Sequence, residues 1–101
     1  MPKHSIRILD AAEQDIVSIV EYIATDNLTA ALQLAEDIER QILSLEDFPQ
    51  AGAVPKNRRL ARKGYRMLVV GDHLVFYCVI DKNIVEIRRV LSGKRKYAFL
   101  L

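Results

Sequence analysis

A chain of 101 residues and 11.5 kDa has material for one hydrophobic core and is read as a single domain over residues 1–101. Half of its residues are apolar and 28% are charged, which excludes a disordered segment, and no apolar run approaches the roughly 18–20 residues of a membrane-spanning helix. The net charge of +2 hides an asymmetry: residues 1–47 hold three Lys/Arg against ten acids, whereas residues 48–101 hold twelve against three.

Ser5 to Leu9 reads as a short strand, with Ile6 and Ile8 alternating with Arg7 and Leu9. Asp10 is expected to cap the following helix, with Glu13 completing a capping box. Ala12, Ile16, Ile19, Val20 and Ile23 then recur at helical spacing and form one buried stripe. Thr25-Asp26-Asn27 breaks the pattern, and Asp26 or Asn27 caps a second helix. Its stripe is Ala31, Leu34, Ala35, Ile38, Ile42 and Leu45, and Phe48-Pro49 is expected to end it. A turn this short folds two helices into an antiparallel hairpin. Residues 49–63 read as a loop with a short helical turn near Arg58–Arg62. Tyr65–Val70, Gly71-Asp72 and His73–Ile80 form a hairpin signature, and Ile84–Leu91 is the last strand. The order is β-α-α-β-β-β: an α+β fold with the helical hairpin packed on a mostly antiparallel four-stranded sheet. The neighbour of the first strand is left open.

Strand parity sorts side chains into two faces. In the second strand Arg66 lies with Leu68 and Val70, opposite Tyr65, Met67 and Val69. In the third, Leu74, Phe76, Cys78 and Ile80 oppose His73, Val75, Tyr77 and Val79; both sides are apolar, as in a central strand. In the fourth, Val85, Ile87, Arg89 and Leu91 alternate with Ile84, Glu86, Arg88 and Val90. An arginine inside an apolar strand needs an acid, a carbonyl or a polyanion. Glu86 could pair with Arg66 or Arg88; Arg66, beside the basic loop, is read as facing a polyanion.

The other cations fall in two blocks, Lys56-Asn57-Arg58-Arg59-Leu60-Ala61-Arg62-Lys63 and Lys94-Arg95-Lys96. Such a local field attracts polyanions more than the average charge implies. The N-terminal MPKHSIRILD lacks the apolar core of a signal peptide. Cys78 stands alone, so no internal disulfide or thiolate metal cluster is expected. A cytoplasmic protein without metal, cofactor or membrane association is the expectation. There is no GxSxG, HExxH or phosphate-cradling glycine loop, and His4 and His73 are isolated. Catalysis, if any, would fall to Arg, Lys and Tyr, which can bind a phosphodiester and stabilise charge developing on it.

The runs Leu45–Gly52, Gly64–Tyr77 and Val85–Tyr97, with the upstream stretch Asp15–Ile23, resemble the RelE/ParE superfamily of bacterial toxins, in that order and at similar spacing. The resemblance implies the toxin of a type II toxin–antitoxin system, held by a cognate antitoxin in a hetero-oligomeric complex. RelE-like members cleave mRNA on the ribosome, whereas ParE-like members inhibit DNA gyrase. The expected function is the RelE-like one, a metal-independent, ribosome-dependent mRNA endoribonuclease with Arg66, Arg95 and Tyr97 as catalytic residues, and gyrase inhibition without catalysis is the alternative. Lys56, Arg58, Arg59, Arg62, Lys63, Arg89, Lys94 and Lys96 would bind substrate, with ribosome and mRNA as partners. Many relatives carry histidine where this chain has Ser92, which removes a general acid. The FP-x-x-G end of the helical hairpin and the HLVFY strand lean toward ParE-like members.

Overall fold

A computed structural model describes residues 3–101. The elements are β1 (Ser5–Ile8), α1 (Asp10–Ala24), α2 (Leu28–Ser44), α3 (Arg58–Arg62), β2 (Tyr65–Val70), β3 (His73–Asp81) and β4 (Ile84–Ser92), followed by a 3-10 turn at Ala98–Leu100. The sheet order is β1-β4-β3-β2; β1 runs parallel to β4 and the other pairs are antiparallel. The expected α+β architecture is therefore the observed one. β1 pairs beside the last strand because α1 and α2 carry the chain across the sheet before β2 begins, which makes β4 an interior strand.

Caps set the helix limits. The Asn27 side chain accepts from the Ala30 N–H at 3.0 Å and starts α2. Asp10 does not cap α1; the N-cap is Leu9, with no side-chain hydrogen bond. Asp10 and Glu13 are instead acids in the first turn, where the helix dipole favours them. α2 ends at Ser44, ahead of Phe48-Pro49, as Leu45, Glu46 and Asp47 donate back into a closing turn. The β2–β3 connection is the two-residue Gly71-Asp72, and Gly71 supplies the positive φ of 59° that it needs.

Each sheet face carries its own core. The hairpin face buries Ala12, Ile38, Ile42 and Leu45 from the helical side against Leu68, Val70, Val75, Tyr77, Val85, Ile87 and Val90. The opposite face buries Tyr65, Leu74, Phe76, Cys78 and Leu91 beneath α3 and the C-terminal segment, through Leu60, Tyr97 and Leu100. Strict alternation along the fourth strand fails here. Phe76 pairs with Arg89 but Tyr77 pairs with Ile87, so Arg88 is an extra residue, a β-bulge. The bulge turns Val90 to the hairpin face and Leu91 to the other.

Candidate functional site

The arginines of the strands are engaged within the chain. Arg66 Nη1 donates to the Gly52 carbonyl at 2.8 Å and the Gln50 carbonyl at 3.3 Å. That loop is held by the Ala53–Met67 bridge and by the Gly52 N–H, which donates to Tyr77 Oη at 2.8 Å. Arg89 forms a bidentate pair with Asp15 of α1 at 2.6 and 2.8 Å, and Asp15 also accepts from the Val90 N–H at 3.0 Å. This pairing raises the Arg89 pKa above its ordinary value. Arg88 donates to Glu86 at 2.9 Å, and its guanidinium lies 5.3 Å over the Tyr65 ring. Of the two expected partners for Glu86, the structure realises Arg88; Arg66 meets carbonyls, not an acid.

The cations of the two sequence blocks are in a different setting. α3 starts where Asn57 accepts from the Leu60 N–H at 3.1 Å, and the buried Leu60 anchors it. Arg59 donates to the Ala98 carbonyl, and Lys63 Nζ donates to the main-chain oxygen of Leu101 at 3.2 Å. Tyr97 packs on Phe76 with ring centroids 4.9 Å apart. Residues 56–63 and 95–99, far apart in sequence, thus become one surface. Asn57, Arg95, Lys96 and Phe99 line a shallow cleft of about 420 Å³ in it. Among the described residues, the side chains of Lys56, Arg58, Arg62, Lys94, Arg95 and Lys96 make no hydrogen bond or ion pair, and all six residues are exposed.

The structure therefore gathers Arg58, Arg59, Arg62 and Lys63, with the adjoining Lys56, beside Arg95, Lys96 and Tyr97, whereas Lys94 lies apart, in a hollow shared with Ser18, Tyr22, Asp72, His73 and Ser92. The structure also leaves Arg66 and Arg89 out. Arg66 shares the hairpin face with Leu68 and Val70, whereas Tyr97 packs on the opposite face. Arg89 reaches α1 and is neutralised there. Sequence reasoning missed Asp15 as the partner of Arg89. It also passed over Phe99, 75% exposed beside the tail cations; an aromatic three residues after a Lys-Arg-Lys run was the available signal. His73 is half-buried opposite Ser92 in the sheet register, and among the described residues its Nδ1 is buried without a hydrogen-bond partner.

A second feature lies at the β1 edge. Ile6, Ile8, Ile16, Ile38, Ile42 and Leu43 line an apolar groove of about 590 Å³, with Glu39 and Glu46 on its walls. Ile8 and Leu43 remain 42% and 49% exposed. No helix of the described residues is long and apolar enough to cross a membrane.

A helical hairpin on a four-stranded sheet, with an acidic first half and a cationic surface built from the second, defines a toxin of the RelE/ParE superfamily. Residues 6–97 match the model of the ParE toxin of the type II toxin–antitoxin system parDE, and the chain belongs to that family. Among solved structures, it resembles the chromosomal ParDE system of P. aeruginosa at 19% identity and a TM-score of 0.72, covering 89% of this chain and 96% of that one. It also resembles the toxin–antitoxin complex RelBE2 of Mycobacterium tuberculosis at 24% identity and a TM-score of 0.57, covering 91% and 99%. No curated protein matches it.

Proposed function

We propose that this toxin acts by binding, with DNA gyrase as its target and a cognate antitoxin as its inhibitor. The observation that carries this reading is the separation of Arg66 from Arg95 and Tyr97, with which a ribonuclease would combine it. A phosphodiester can react only where its orienting and charge-stabilising groups meet, with reacting atoms about 3–3.5 Å apart. Arg66 is turned to the Gly52 and Gln50 carbonyls on the hairpin face, while Tyr97 packs on Phe76 beneath the opposite face. Ser92 supplies no imidazole. Membership in the ParE family supports the same choice.

The apolar groove beside β1 suits the antitoxin. It offers isoleucine side chains to an amphipathic segment, and β1 presents an unpaired strand edge for a further strand. Glu39 and Glu46 would orient a segment carrying Lys or Arg.

Supercoiling of relaxed plasmid by purified gyrase, alongside mapping of transcript ends in cells after toxin induction, tests the proposal. Supercoiling should fall as toxin is added and recover with the antitoxin encoded beside it, while transcripts stay intact. Normal supercoiling in excess toxin, with new ribosome-dependent RNA ends, would reject it in favour of mRNA cleavage.

A further inference from the structure

We infer that the surface formed by α3 and residues 95–99 holds an unpaired DNA strand, with phosphates on the cations and one base against Phe99. The choice of DNA over RNA rests on the gyrase reading; the fit to a single strand rests on this surface alone. Residues 48–71 and 87–101 contain no Asp or Glu, so the cations brought together there have no acid from their own segments. The contrast with β4 is direct: Arg88 and Arg89 each hold a carboxylate, whereas Arg59 holds the Ala98 backbone carbonyl. A carbonyl orients a cation without cancelling its charge. The Arg59–Ala98 and Lys63–Leu101 contacts fix the tail against α3 and leave Arg58, Arg62, Arg95 and Lys96 facing solvent as a preformed positive field.

Phe99 selects among polyanions. It is 75% exposed and shares its cleft with Arg95 and Lys96. A phenyl ring in that setting gains by stacking on a base, as on the sequence-tolerant platforms of single-strand binders. Duplex DNA hides its base faces in the stack and would use the cations alone. An acidic protein segment would have no use for the ring beyond burial.

The test is fluorescence anisotropy of a labelled oligothymidylate of about 12 nucleotides, titrated with the full-length toxin between about 50 and 200 mM salt. The affinity is expected to fall roughly 50-fold or more over that range, as four or more phosphates are neutralised on a single strand. Phe99→Ala should weaken binding about tenfold with the salt slope unchanged. The pair Arg58→Ala and Arg62→Ala should reduce the slope by about 1.4. Arg40→Ala, on α2, should change neither. Absence of binding at low salt, a Phe99→Ala variant that binds as tightly as the wild type, or tighter binding of the matched duplex or of oligouridylate would each overturn the inference. Gyrase inhibition without oligonucleotide binding would reject this surface and spare the target; strand binding by a toxin inert toward gyrase would do the reverse.

Discussion

Gly52 sits where three constraints meet. Its N–H donates to Tyr77 Oη, its carbonyl accepts from Arg66, and a Cβ there would lie 2.7 Å from the Tyr77 ring and 2.8 Å from the Met67 carbonyl. No larger residue fits without moving the strand or the ring. Tyr77 is fully buried and depends on that contact. Tyr77→Phe would strand a buried N–H and should lower the urea-unfolding free energy by about 1–3 kcal/mol. Burial holds the Tyr77 hydroxyl above the ordinary tyrosine range, outweighing the opposing pull of the Gly52 hydrogen bond and of Arg66. A pKa raised by folding contributes stability that is complete below the unfolded value, near pH 10, and is lost as pH rises through the folded one. Urea midpoints should therefore decline from about pH 10 upward in the wild type, and decline less in Tyr77→Phe.

The bulge in β4 decides how the strand meets its neighbours. An extra residue at Arg88 lets consecutive arginines serve opposite purposes: Arg88 covers Tyr65, and Arg89 ties β4 to α1 through Asp15. Asp15 takes both the guanidinium and the Val90 N–H, so one carboxylate joins a helix to an interior strand. The Arg89 and Asp15 side chains are 26% and 15% exposed, short of the full burial at which a broken pair is most destabilising. Asp15→Ala should lower stability by about 1–3 kcal/mol, and the Val90 amide should exchange its hydrogen faster than in the wild type. An unchanged Val90 exchange rate would show that Asp15 does not hold the bulge.

The sheet separates two layers with different duties. The helical hairpin covers one face and shapes the apolar groove at β1; α3 and the tail cover the other and carry the cations. Leu60 and Ile38 are both buried, but in different clusters. Leu60→Ala should cost about 2–5 kcal/mol and Ile38→Val about 0.5–1.5. Because they share no packing partner, the double variant should lose their sum to within about 0.5 kcal/mol. A larger discrepancy in urea titrations would mean that the sheet transmits strain between its faces. With additivity, damage on the antitoxin side would leave the cationic surface intact.

Periodicity, capping residues and turn glycines act over a few residues, and they were enough to read both helices, a second cap at Asp26 or Asn27, the Gly71 turn, a helical turn near Arg58–Arg62 and the two-sided burial of β3. The clustering of cations in two blocks was equally visible, being a matter of order along the chain. What those patterns could not hold was set by distant partners. Asp15 and Arg89 are 74 residues apart, the place of β1 depended on the whole hairpin crossing the sheet, and the bulge that exchanged the faces of Val90 and Leu91 arose from register with β3. Arg66 looked free because the carbonyls that engage it belong to a loop with no periodicity. The first basic block and residues 95–99 became one surface only when the tail folded onto α3, since side chains remote in sequence acquire a common field through packing, which no local pattern encodes.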